Sequence, residues 1–336
     1  MRSKLFPLLL LLILIACQIP NLAAPLNVIP TPSPTSTLTP TPAPTETPTP
    51  TQTASPTATQ TPLPHASRVL IISIDGLRPD VISLAPMPNL LNLMQTSAYT
   101  LNAQTVYPSV TLVSHASMLV GVCPAKHGVD WNDYSPEKGI AQGTDLFDLA
   151  HAAGLQTVMF VGKKKLQQMT DASSVDKFVF INDRDLIITE RLIADFPQDF
   201  GLLFLHFPTP DWMGHVYGWG SPEQLSVIRR ADEAIGLILA ELDARSLRGE
   251  TLIIITADHG GHDTTHGSSI PVDMTIPWIA SGPGVQPKVL STQVHTYDTA
   301  ATAAFMLGLP IPPEWDGVPV YEAFGLPIEK QSVPCP

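Results

Sequence analysis

Three aspartates each stand just past an apolar run of strand length: Asp75 in "IISIDG", Asp211 in "HFPTPDWMGH" and Asp258 in "IITADHGGH". Histidines accompany two of them. His215 follows Asp211 by four residues, a spacing that shares one face of a helical turn. His259 follows Asp258 directly, and His266 comes seven residues later, ahead of the run "IPWIAS". Carboxylates gathered on one rim repel one another unless a cation sits among them. Carboxylate and imidazole ligands without a thiolate suit zinc or another borderline divalent ion. Six such groups can hold two ions, an arrangement suited to in-line displacement at phosphorus. Singly, each fragment has a plainer reading, since an Asp after a strand is often a helix cap and "DHGG" alone makes a competent turn. The metal reading rests on the set.

A nucleophile for that chemistry is Thr111, in "TVYPSVTLVSH". Pro108 and Ser109 break the chain ahead of the apolar-rich run from Val110 to Val122, so Thr111 falls at a helix start. No Gly-x-Ser-x-Gly surrounds it and no base adjoins it. A metal held by Asp75, Asp258 and His259 could bind its oxygen and lower its pKa. The helix start adds backbone N–H donors and a positive dipole end, both favourable to phosphate. Without metal ligands on the same rim, Thr111 would read as a simple N-cap.

The elements that must position these residues alternate. "RVLIISI" (68–74), "QTVMFV" (156–161), "FGLLFLHF" (200–207), "TLIIITA" (251–257) and "IPWIAS" (276–281) are near-continuous apolar runs, as expected of strands buried on both faces. Between them lie helical segments. One spans 221–246, with Ser221 as N-cap and Pro222 at the first helical position. Another spans 298–308, with Asp298 as cap and Gly308 as terminator. The alternation predicts an α/β domain over 66–330, a mostly parallel sheet with helices on both faces. In such sheets ligands bind beyond the carboxyl ends of the strands, where the three aspartates fall.

The formal charge of −12 argues against binding a nucleic-acid polymer. Arg2 and Lys4 precede "LFPLLLLLILIA", too short to span a bilayer but suited to a signal-peptide core, and "LIAC" resembles a bacterial lipobox. Residues 1–17 therefore read as a lipoprotein signal peptide, with Cys17 lipidated and the chain exported and membrane-anchored. Residues 18–65 are Thr, Pro, Ser and Ala with little else, which predicts a disordered stalk. Three cysteines are too few for a disulfide framework.

With "IISIDGLRPD", "TVYPSVTLVSH", "VGVCPAKHGVDWN", "PDWMGHVYG", "TADHGGH" and "HGSSIPVDMTIPWIASGPGV" in this order, the chain resembles the type I phosphodiesterase/nucleotide pyrophosphatase family of the alkaline phosphatase superfamily. The resemblance implies an alkaline-phosphatase-like three-layer sandwich and two zinc ions. One falls to Asp211, His215 and His266, the other to Asp75, Asp258 and His259 with Thr111 as nucleophile and ligand. The family's phosphate-binding asparagine maps to Asn132. Two departures stand out: Val113 and Ser114 precede His115 where the family has Pro-Asn, and Leu112 replaces the aromatic that helps hold a nucleotide base. The implied activity is hydrolysis of phosphodiester or pyrophosphate bonds through a phosphothreonine. The neutrality of Asn132 favours diesters, while phosphomonoesters and phosphonates are the alternative within the superfamily. Sulfate esters are disfavoured because no Cys-x-Pro-x-Arg motif is present. A non-catalytic surface-binding lipoprotein is the alternative of another class.

The remaining residues take plainer roles. His115 is expected to be structural, His127 to fix a turn, and His295 to be a weaker third ligand than His266; His262 has no assigned role. "KKK" at 163–165 reads as a solvated helix start before it reads as an attractor of anions. Cys123 is expected to pack behind the nucleophile helix, with a bridge to Cys335 as the lesser option.

Overall fold

The computed structural model describes residues 64–328 and 330–336. The leader with Cys17, and nearly all of the expected stalk, lie outside the described residues. Each of the five apolar runs is a strand, and three further strands join them. In chain order these are β1 (Arg68–Ile74), β2 (Ala98–Gln104), β3 (Gln156–Val161), β4 (Lys177–Phe180), β5 (Phe200–Phe207), β6 (Thr251–Thr256), β7 (Thr275–Ser281) and β8 (Lys288–Val289). They form one sheet in the order β4-β3-β5-β1-β6-β7-β2-β8. Every residue of β5 and β6 is buried, which is why these runs are apolar without alternation.

Helices cover the sheet in two sets. Pro88–Met94, Asp185–Ala194 and Thr209–Tyr217 pack on the long helix Pro222–Ala244, and Thr111–Val120, Leu146–Ala152 and Asp298–Met306 pack on one another. The result is the three-layer α/β sandwich. The long helix starts as expected, Ser221 Oγ accepting from Gln224 N at 3.2 Å. The Asp298 helix does not: Tyr297 is its N-cap, and the Asp298 carboxylate instead accepts from His295 N (2.7 Å) and Val318 N (2.9 Å). Asp298 thus ties two loops together rather than closing its own helix.

One strand runs against the rest. β7 is antiparallel to both β6 and β2, whereas every other pairing among the described strands is parallel. The consequence for the site is direct. Residues ahead of β7 emerge on the rim where β1, β5 and β6 end, so His266 reaches the three aspartates although it precedes its strand.

Cys123 is bonded to Cys335, with Cα atoms 5.6 Å apart. Its reading as a free packing residue is corrected. The bond pins the chain's C-terminal end beside the exit of the Thr111–Val120 helix, and Tyr297 Oη donates to Val333 O nearby.

Candidate active site

Asp75 follows β1, Asp258 lies just past β6, and Asp211 sits in the first turn of the helix after β5. Gly76 draws the three together. Its N–H donates to Asp258 Oδ1 (3.1 Å) and its carbonyl accepts from Trp219 Nε1 (2.9 Å). Its φ is +73°, and a Cβ there would stand 3.1 Å from Asp211 Cα. Glycine alone suits both the turn and the approach.

The three histidines share one pattern. His215 Nδ1 donates to Thr264 O (3.0 Å), His259 Nδ1 to Gly260 O (2.8 Å) and His266 Nδ1 to Ser109 O (2.9 Å). A carbonyl can only accept, so each ring carries its proton on Nδ1 and turns the Nε2 lone pair inward. Those lone pairs face one another and the carboxylates. His266 Nε2 is 3.2 Å from His215 Nε2 and 3.5 Å from Asp211 Oδ1. His259 Nε2 is 3.4 Å from Asp75 Oδ1 and 3.3 Å from Asp258 Oδ2. Protonating the rings would relieve this, but burial, with His259 alongside, lowers His266 to about 4.

The carboxylates repeat the message. Asp75 Oδ1, Asp211 Oδ1 and Asp258 Oδ2 are buried without hydrogen-bond partners. Buried acceptors are costly unless satisfied. Burial works to raise Asp75, yet Lys163 and then His206 outweigh it and hold Asp75 well below the ordinary carboxylate range. Burial and the charge of Asp75 push Asp258 well above it. Unpartnered oxygens and inward lone pairs on one rim fit a divalent cation. Two groups have ligand atoms mutually within 4.8 Å: Asp211, His215 and His266, and Asp75, Asp211 and His259. The first matches the expected set. The second contains Asp211 where Asp258 was expected, and Asp258 adjoins it through His259.

Thr111 is the first residue of its helix and is buried, its Oγ1 3.4 Å from His259 Nε2. Asn132 Oδ1 accepts from Leu112 N (3.0 Å) at the next position of the same turn. Two lysines from the "KKK" run join them, which the reading as a solvated helix start missed. Lys163 Nζ bridges Asp75 Oδ2 (2.7 Å) and Asp211 Oδ2 (2.6 Å) and donates to Thr111 Oγ1 (3.3 Å). Burial would lower its pKa, but Asp75, Asp211 and Asp258 raise it, so the ammonium stays charged. Lys165 Nζ donates to Asn132 Oδ1 (2.9 Å). The position of the run, directly after β3 on the carboxyl rim, was the signal available in the sequence.

His206, on β5, was also missed. Its Nδ1 accepts from Gly162 N (3.3 Å), so its Nε2–H donates to Asp75 Oδ2 (2.9 Å). Inside an apolar run it carries no visible mark of that role. His115 is structural as expected: Nδ1 donates to Thr111 O (2.7 Å) and Nε2 accepts from Ser73 Oγ (2.8 Å). His127 Nδ1 accepts from Val129 N (3.1 Å) across a turn. His262 pairs with Asp273 (2.7 Å), and His295 bonds Ser332 (2.7 Å) rather than the rim.

A family model described as type I phosphodiesterase / nucleotide pyrophosphatase matches residues 69–152 and 154–282, more than half of the chain. The chain belongs to that family. It is 26% identical over 232 residues to an uncharacterised pyrophosphatase/phosphodiesterase of Schizosaccharomyces pombe, covering 62% of this chain and 47% of that protein. It is likewise 26% identical over 216 residues to human ectonucleotide pyrophosphatase/phosphodiesterase family member 5, covering 57% and 44%. The match thus spans less than half the length of either relative. Among solved structures, murine ectonucleotide pyrophosphatase / phosphodiesterase 5, an inactive form in complex with AMP, superposes with a TM-score of 0.66 at 15% identity. That superposition covers 77% of this chain and 99% of the murine one, and it supports the fold.

Proposed function

We propose that this chain is an exported two-zinc hydrolase of phosphoric esters in which Thr111 is the nucleophile. One observation carries the reading. His215, His259 and His266 each spend Nδ1–H on a backbone carbonyl and turn Nε2 toward unpartnered aspartate oxygens beside the Thr111 hydroxyl. Asp211, His215 and His266 would hold one ion, and Asp75, Asp258 and His259 the other, with Asp211 close enough to share. Bound there, divalent zinc would acidify the Thr111 hydroxyl and offset charge on the phosphoryl oxygens.

The chain's own residues supply the rest. The helix start presents Thr111 Oγ1 for in-line attack on phosphorus, forming a phosphothreonine as the ester's leaving oxygen departs. The Asn132 amide, oriented by Leu112 N–H, is a donor for a phosphoryl oxygen. Water then cleaves the phosphothreonine and restores the hydroxyl. His206 and Gly76 hold Asp75 and Asp258 in register. The family's description, type I phosphodiesterase / nucleotide pyrophosphatase, supports a bond among phosphoric esters and anhydrides. Export is supported by the Cys123–Cys335 bond, which suits an oxidising compartment. No described helix is long and apolar enough to cross a membrane. Attachment through a lipidated Cys17 is proposed from the lipobox-like "LIAC" alone.

The test is metal analysis of the Thr111→Ala variant with a panel of chromogenic esters. It should keep about two ions per chain, because the remaining ligands are intact, and lose turnover by on the order of 10⁴ or more. Near-wild-type turnover would overturn the covalent route. A wild-type chain that retains no metal and cleaves no ester would return it to the class of binding lipoproteins.

A further inference from the structure

The three lysines after β3 are used differently. Lys164 directs its ammonium over the Tyr134 ring, 4.5 Å from the centroid. Lys163 and Lys165 instead flank the first turn of the nucleophile helix. Lys163 Nζ donates to Thr111 Oγ1 (3.3 Å), and Lys165 Nζ donates to the Asn132 oxygen that also accepts from Leu112 N. Thr111 and Leu112 are neighbours, so two ammoniums bracket the turn where an anion would already meet the positive end of the helix dipole. Their charges are not equally committed. Lys163 is neutralised by Asp75 and Asp211. Lys165 is half-buried, and among the described residues it forms no ion pair; its partner is the neutral Asn132 amide.

A half-buried ammonium without a counter-ion contributes little to packing and pays part of its hydration. A substrate anion supplies the missing charge. A phosphodiester brings one negative charge to the reacting phosphorus. A monoester brings about two at neutral pH, since its second ionisation lies near about 6. The extra charge sits on a third non-bridging oxygen, which an ammonium meets with a charge-assisted bond. The preference for diesters assumed that the phosphate-binding position holds only the neutral Asn132, and Lys165 removes that assumption.

We infer that Lys165, seated on Asn132 beside Thr111, forms a subsite for a dianionic phosphoryl group, so that this chain favours phosphomonoesters over diesters. The inference rests on the hydrolase reading above. In the first step the Thr111 hydroxyl gives its proton to water as the Oγ–P bond forms, the P–O bond to the alcohol breaks, and the leaving alkoxide takes a proton back from water. In the second a water oxygen bonds to phosphorus, the Oγ–P bond breaks, Thr111 regains a proton, and inorganic phosphate leaves.

The experiment uses the metal-loaded full chain. Wild type, Lys165→Ala, Lys165→Gln and Lys165→Arg are compared on 4-nitrophenyl phosphate and bis(4-nitrophenyl) phosphate. Inorganic phosphate binding is measured by calorimetry on the same lysine variants carrying Thr111→Ala, with melting temperature and metal content as controls. Wild type should prefer the monoester. Lys165→Ala and Lys165→Gln should each lower the monoester-to-diester ratio of kcat/KM by tenfold or more and weaken phosphate binding similarly, and Lys165→Arg should restore most of both. Equal losses on both substrates, or unchanged phosphate binding, would overturn the subsite and leave Lys165 as a support for Asn132. A wild type that prefers the diester would overturn it too while leaving the hydrolase reading intact. Inertness of the wild type toward both esters would overturn that reading, and this one with it.

Discussion

Around Asp75, Asp258 and His259 the side chains are fully buried, whereas His215 in the other ligand group leaves 44% of its side chain in solvent. The inner group is built by the backbone. Asp258 Oδ1 accepts from Gly76 N and His259 N, and Asp75 is held by His206. The outer group rests on one helical turn and a loop, with Trp219 packed edge-on to His215 at 5.2 Å. On the proposed reading the difference would separate two tasks. A buried, pre-built cluster would keep the surroundings of Thr111 fixed and dry, so charge there would act at low dielectric. The edge opened by His215, beside the buried side chains of Asp211 and His266, would let the leaving group and water come and go.

The largest effect should follow from breaking the inner group. Asp258→Asn keeps Oδ1 as acceptor for Gly76 N and His259 N, so the fold has no reason to fail. It removes a negative charge that burial and Asp75 already disfavour. The metal-free variant should therefore melt at or above the wild-type temperature. Turnover should fall by on the order of 10⁴ and not return with added zinc, because the site that sets Thr111 has lost an ionised ligand. Calorimetric melting and a zinc titration of activity check both halves. A lower melting temperature with retained activity would reverse the assignment.

His215→Ala should be milder. It removes one exposed ligand and leaves Asp211 and His266 in place. Metal affinity at that group should drop by about 10²-fold at least, and excess zinc should recover much of the activity. Should His215→Ala prove as irreversible as Asp258→Asn, the two groups would not differ as described.

That contrast was only partly legible in the sequence. β1, β3, β5, β6 and β7 were readable because strands buried on both faces must be apolar throughout. β2, β4 and β8 were not, since strands near a sheet edge carry mixed faces, as in "AYTLNAQ" with four of its seven residues half-buried or exposed. The rim aspartates and histidines were readable because they stand just past or just ahead of apolar strand runs, where an α/β sheet opens its ligand rim. Lys163, Lys165 and His206 were not. A lysine run has a solvated reading by default, and a histidine inside a strand looks like any tolerated core residue. What decided each was a partner distant in sequence, with His206 and Asp75 131 positions apart. The reversal of β7 was equally invisible, since periodicity carries no direction, and it is what brings His266 to the rim.

The smallest predicted effect concerns acid, and it separates the fold's own titration from that of the ligand groups. His127 lies outside both. Its ring is wedged between Ser117 Oγ (2.9 Å) and Val129 N (3.1 Å), and burial lowers its pKa from 6.5 to about 4. The folded state thus prefers the neutral ring, and the unfolded chain takes up the proton first. Its contribution is fully present above pH 6.5 and is lost as pH falls through about 4. Over that window the loss should approach roughly 3 kcal/mol, from about 1.4 kcal/mol per pKa unit. His127→Asn keeps an acceptor for Val129 N without a titrating ring. Its metal-free form should start less stable at pH 7 and lose less on acidification to pH 4, as chemical denaturation at both pH values would show. Parallel losses in variant and wild type would assign the acid sensitivity to other buried groups. The ligand groups themselves would become the first place to look, because His266 titrates in the same window.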